Sequence, residues 1–152
     1  MKQLTHAPRV SSTRSRTRKR RRTPERPFSL VLLVDDDPDL RAMIKLALQA
    51  DHLRVIQTST SKAALACARR RRLDLVISDI ARPGMNGLRF LKLFKKKHPD
   101  IPVIIASGDP NGSTEAKARQ LGAFAFLHKP FTLDALLKLV GQALRAARTE
   151  AR

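Results

Sequence analysis

The chain has no tryptophan and no tyrosine, and its aromatic content is six phenylalanines in 152 residues. Any core must therefore be built mainly from Leu, Ile, Val and Ala. The one cysteine, Cys67, excludes a disulfide framework and every multi-cysteine zinc site; it reads as a small buried helix residue. No apolar run approaches the roughly 18 residues that a membrane-spanning helix needs, and the first residues lack the apolar centre of a secretory signal. The expectation is a cytoplasmic protein without membrane contact. Acid is scarce: 13 Asp and Glu stand against 31 Lys and Arg, a formal net charge of +18. Hydrophobic residues make up 42%, enough for a real core, and 152 residues suit one domain with or without a tail.

The positive charge is unevenly spread. Residues 1–27 hold 10 Lys or Arg and one acid, Glu25. Their densest part, RSRTRKRRRTPERP (Arg14 to Pro27), has no apolar periodicity and cannot bury enough surface to offset its chain entropy. The reading is a disordered basic tail over 1–27, able to touch nucleic acid through charge alone. An organellar transit peptide is also Arg- and Ser-rich, but Leu4, Ala7 and Val10 are too few for its amphipathic helix. A start set too far upstream would leave similar sequence.

After Pro27 the pattern becomes regular. Short apolar runs at Leu30–Val34, Leu53–Thr58, Leu73–Ser78, Ile101–Ala106 and Ala123–Leu127 suit buried strands. Between and after them, Asp39–Ala50, Ser61–Arg72, Gly87–Lys97, Thr114–Leu121 and Thr132–Ala147 carry helical spacing. The first helix turns Leu40, Met43, Ile44, Ala47 and Leu48 inward, the third Leu88, Leu91 and Phe94; Gly122 closes the fourth. Strict alternation predicts an α/β domain over 28–148, doubly wound on a five-stranded parallel sheet, with 149–152 as a short tail. Arg69–Arg72 and Lys95–Lys97 fall at helix ends, where cations complement the helix dipole.

In such sheets chemistry gathers beyond the carboxyl ends of the strands. Asp35, Asp36 and Asp37 follow the first strand, Asp79 the third, Ser107, Gly108 and Asp109 the fourth, and His128, Lys129 and Pro130 the fifth. Carboxylates converging on one rim repel each other. A divalent cation relieves that repulsion, and hard oxygen ligands suit Mg²⁺. A lysine and a hydroxyl beside it complete a place for a phosphoryl group. One carboxylate could be the nucleophile, and Asp79, alone at the end of the middle strand, is the candidate. Asp37 and Asp39 read as acids at a helix start, and His128 as a solvent-side residue.

The segments LLVDDDPDLR, DLVISDIARPGMNGL, PVIIASG and GAFAFLHKPF resemble the receiver domain of two-component response regulators, in order and spacing, over residues 28 to 148. The resemblance implies a flavodoxin-like (βα)5 fold with strand order 2-1-3-4-5. It implies Asp79 as phosphoacceptor, and Mg²⁺ held by Asp36, Asp79, the backbone carbonyl of Ala81, and Asp35 directly or through water. It further implies Ser107 and Lys129 as phosphate-binding groups, Phe126 as the switch aromatic, and a cis bond before Pro130. The implied partners are a histidine kinase or histidine phosphotransfer protein, and a downstream protein or a second copy on the face of the fourth helix, fifth strand and fifth helix. No catalysis is implied beyond the chain's own phosphorylation and dephosphorylation, and no fused output domain is expected. Three departures stand out: Arg82 where the residue before proline is more often apolar, Asn86-Gly87 for a commoner Asp-Gly, and Gly108 where alanine is frequent. Ala81 and Asp109 occupy positions that tune phosphate lifetime in the family. Two other readings are a charge-driven nucleic-acid binder with a regulatory or vestigial receiver, and a haloacid-type phosphatase using the Asp35/Asp37 spacing. The lysine and hydroxyl motifs fit the phosphatase poorly.

Overall fold

The computed structural model describes residues 27–82 and 84–150. The expectation of a disordered basic tail therefore lies, but for Pro27, outside the described residues. Ten elements alternate without exception: β1 (Leu30–Val34), α1 (Pro38–Ala50), β2 (Arg54–Thr58), α2 (Ser61–Arg70), β3 (Leu75–Asp79), α3 (Gly87–Lys97), β4 (Val103–Ser107), α4 (Gly112–Gln120), β5 (Ala125–His128) and α5 (Leu133–Glu150). The five strands form one parallel sheet in the order β2-β1-β3-β4-β5.

Strand side chains alternate between faces, and the core divides accordingly. Val31, Leu33, Leu75, Ile77, Ile104 and Leu127 pack with α1 and α5 through Ile44, Leu48, Leu136 and Val140. Leu32, Val34, Val76, Val103, Ile105 and Phe126 pack on the other face with α2, α3 and α4 through Ala64, Ala68, Phe90, Leu91, Phe94 and Ala118. Each fully buried Leu, Ile, Val or Phe is worth about 1.5–3 kcal/mol of transfer free energy, so two such layers hold the sheet rigid beneath its rim.

Several boundaries differ from expectation for local reasons. Helix α1 begins at Pro38 because Asp37 caps it, its side chain accepting the Asp39 and Leu40 N–H groups at 2.9 and 3.2 Å. Asp39 lies in the first turn, where its charge suits the helix dipole. Helix α2 stops at Arg70, with Arg71 already extended, so its arginine run continues into the following loop. Helix α5 passes through Thr149 and Glu150, and the Thr149 hydroxyl donates to the Arg145 carbonyl. Gly122, at φ +95°, supplies the left-handed residue that ends α4: its N–H bonds Arg119 and the Ala123 N–H bonds Ala118. Two burial expectations fail. Met43 is 49% exposed, because Ile44 and Leu48 fill the inward line of α1 and leave it at the stripe's edge. Phe90, not foreseen as inward, is fully buried, while Leu88 is only partly so. Cys67 is partly buried, and burial pushes its thiol pKa up.

Candidate functional site

The carboxyl ends of β1 and β3 are adjacent in the sheet, so Asp35 and Asp79 reach the same rim. Asp35 is 3% exposed and Asp79 6%, while Asp36 is open to solvent. One oxygen from each of the three lies within 4.8 Å of the others. Asp35 is fixed from two sides: its Oδ1 accepts the Asp37 N–H at 2.9 Å, and its carbonyl accepts from Arg41 Nη1 at 2.6 Å. Asp37, adjacent in sequence, is committed to the α1 cap and is not in the cluster.

Lys129 comes to this rim from the end of β5. Its N–H bonds the Ser107 carbonyl at 2.8 Å, and its Nζ lies 3.1 Å from Asp35 Oδ2 and 3.3 Å from Asp79 Oδ1. The Lys129–Pro130 bond is cis. Burial pushes the Asp79 carboxyl pKa up and the Asp35 charge adds to that; Lys129 and the Ala81 N–H pull it back without cancelling the rise. Burial alone would lower the Lys129 pKa, but its bonds and charge pairs with Asp35 and Asp79 outweigh this, and the ammonium is held firmly protonated.

Ser107 ends β4 on the same rim, buried, its hydroxyl accepting the Asp109 N–H at 3.0 Å. Phe126 is buried on the α4 side of the sheet, its ring edge-on to His128 at 4.9 Å between centroids. His128 is exposed and bonds Glu115 of α4 at 3.0 Å, away from the carboxylates. Ala81 follows Asp79 in the β3–α3 loop and is exposed. That loop packs closely under the acceptor: a Cβ on Gly87 would lie 2.5 Å from the Asp79 carbonyl oxygen and 2.6 Å from Ile80 Cα, so glycine is required there.

The residue that sequence reasoning missed is Arg82. It is 7% exposed, although it is charged. Its Nη1 donates to the Asp79 carbonyl at 2.6 Å, to Ser78 Oγ at 2.7 Å and to the Val34 carbonyl at 3.3 Å; its Nη2 donates to Ser61 Oγ at 2.6 Å. The guanidinium carbon sits 5.5 Å from the Phe90 ring centre, a cation–π distance. The sequence signal was indirect: Ser61 and Ser78 are polar residues at positions that face the interior.

The cluster suits a small divalent cation, since three hard oxygen donors already converge and only part of their charge is met by Lys129.

The response regulator receiver domain family matches residues 31–141. The DNA-binding transcriptional regulator NtrC of Salmonella typhimurium is 36% identical over 115 residues, 76% of this chain and 24% of that protein. Among solved structures, a CheY-like response regulator receiver domain protein from Methanospirillum hungatei aligns with a TM-score of 0.78 at 25% identity, covering 81% of this chain and 98% of that one. The receiver domain of NtrX from Brucella abortus aligns at 0.72 and 34% identity, covering 76% and 98%. The chain spans about a quarter of the length of the curated relatives it matches.

Proposed function

Because the chain belongs to the response regulator receiver domain family, we propose that it is a phosphoacceptor switch in which Asp79 takes a phosphoryl group from a histidine kinase or histidine phosphotransfer protein. The observation that carries this reading is a buried Asp79 carboxylate, 3.3 Å from Lys129 and grouped with Asp35 and Asp36. An Asp79 carboxylate oxygen attacks phosphorus in line, the P–N bond to the donor imidazole breaks, and the imidazole nitrogen takes up a proton. Asp36, Asp79, the Ala81 carbonyl and Asp35 would hold Mg²⁺, which would supply charge neutralisation for the transferred group. Lys129 orients the phosphoryl oxygens and screens them from Asp35. Ser107, whose hydroxyl oxygen accepts the Asp109 N–H, would exchange the resting acceptor of its own O–H for a phosphoryl oxygen. Such an exchange, felt by Phe126 and His128 on β5, changes the face of α4, β5 and α5 on which a downstream protein or a second copy would dock.

The test is intact-mass measurement after acetyl phosphate treatment. One Mg²⁺-dependent phosphoryl adduct is expected, absent from Asp79→Asn; an adduct that survives the substitution refutes the assignment.

A second reading is favoured by one observation. A concave surface of about 610 Å³ beside β2 is lined by Arg54, Arg70, Arg71 and Arg72 together with Leu30 and Gln49, and its lining includes no carboxylate among the described residues. It lies at the end of the sheet where β1 begins. This supports sequence-independent contact with a polyanion such as nucleic acid in addition to the receiver chemistry.

A further inference from the structure

A buried guanidinium is costly unless it is paired and fully bonded. Arg82 meets most of that demand with four acceptors, and only its Nε is left without a partner. Those acceptors belong to three elements. Val34 ends β1, Ser78 and Asp79 end β3, and Ser61 opens α2 and passes the chain of bonds to the Met85 carbonyl at 2.9 Å. The side chain thus ties the peptide of Asp79 to both ends of its own loop. An apolar side chain could fill the space against Phe90 but could make none of these bonds.

Its charge acts as well. Asp79, Asp35 and Asp36 each interact electrostatically with Arg82, offsetting part of its burial cost. With its Nη1 2.6 Å from the Asp79 carbonyl and 3.3 Å from that of Val34, which precedes Asp35, Arg82 stands beside the three carboxylates as a second cation, where a neutral residue at 82 would leave only Lys129. The cluster's uncompensated charge falls from two to one.

We propose that Arg82 is a positioning residue of the phosphoacceptor site, a built-in cation that clamps the Asp79–Met85 turn and compensates the Asp35, Asp36 and Asp79 carboxylates before a divalent cation enters, weakening the affinity for that cation. The inference rests on the receiver reading of the site. It predicts a chain that keeps its acceptor turn ordered without metal and needs more Mg²⁺ to saturate.

The experiment is calorimetric titration of the full chain with MgCl₂, alongside thermal melting in EDTA, for the wild type, Arg82→Met, Arg82→Gln and Arg82→Lys. Loss of one positive charge beside a divalent ion should tighten Mg²⁺ binding roughly tenfold in the Met and Gln variants. The Lys variant should stay within about threefold of wild type. All three should melt lower without metal, because an ammonium or an amide cannot span the Asp79 carbonyl and Ser61 together. Gln keeps the readout available if Met prevents folding. Mg²⁺ affinity that is unchanged or weaker in both neutral variants overturns the charge role, and melting unchanged in Arg82→Lys overturns the clamp. A wild type that binds no Mg²⁺ refutes the metal reading beneath the proposal, whereas a binding wild type with unresponsive variants refutes the proposal alone.

Discussion

Asp36 and Asp37 are neighbours in the chain with separate tasks, and substitution should separate them. Asp36 is exposed and belongs to the carboxylate cluster; Asp37 spends its side chain on two N–H groups of α1. Asp36→Ala should abolish most Mg²⁺ binding and leave the melting temperature of the metal-free chain nearly unchanged or raised. Asp37→Ala should cost about 1 kcal/mol of stability through the lost cap while Mg²⁺ affinity stays near wild type. Calorimetry and urea denaturation measure the two quantities, and equal losses of affinity would contradict the register. Arg82 shows where reading by residue type stops. A charged residue in a turn beside proline looks solvated, and its partners Ser61 and Val34 lie 21 and 48 positions earlier. Its burial follows only once β1, β3 and α2 have met.

At the scale of elements, α4 is the least buried of the helices. Only Ala118 is buried in it, so its place depends on polar ties at its start and on its flank. Asp109 accepts from the Thr114 hydroxyl at 2.6 Å and from the Asn111 N–H at 2.9 Å, and these bonds hold its carboxyl pKa below the ordinary value. Glu115 is likewise held low, first by Arg119 and then by His128 of β5. A carboxyl with a depressed folded pKa contributes stability that is full above its unfolded pKa and is lost as pH falls through the folded one. Amide exchange in α4, taken relative to the intrinsic rate at each pH, should therefore be flat from neutral pH down to about 4 and accelerate below it, with Glu115→Gln shifting the neutral-pH baseline upward. Acceleration that begins near neutrality would show that other groups hold the helix. The strands and long helices were legible in the sequence because buried parallel strands are continuously apolar and α3 and α5 carry strong periodicity. The ends of α1 and α2 were not, since capping by Asp37 and the extended turn at Arg71 depend on backbone geometry. Met43 and Phe90 were misjudged because a helical stripe's edges are set by what packs against them.

At the scale of the whole molecule, the parallel sheet and the carboxyl-end rim were recoverable because alternation of elements leaves few topologies, and the strand order came with the resemblance to receiver domains. Most of the candidate site followed from that rim. Its charge balance did not, since that depends on the buried position of one side chain. Every residue of the described core clusters and of the carboxylate rim lies after Pro27, so removing residues 1–26 should leave Asp79 phosphorylation and melting nearly unchanged. The same deletion should remove most affinity for duplex DNA. Binding by the intact chain should fall with salt along a log–log slope of roughly −0.9 per phosphate contacted. Anisotropy titrations across salt, with and without those residues, check this; salt-insensitive binding would refute a charge-only contact.

The parallel sheet also gives the domain two unlike poles. Every strand runs the same way, so Arg54, Arg70, Arg71 and Arg72 gather where strands begin and Asp35, Asp36 and Asp79 where they end, about 17 Å apart for a five-residue strand. A polyanion that bound those arginines would therefore hold the domain in one orientation. Held that way, the domain would turn the Asp35, Asp36 and Asp79 rim away from the polyanion and leave Asp79 open to an incoming phosphodonor.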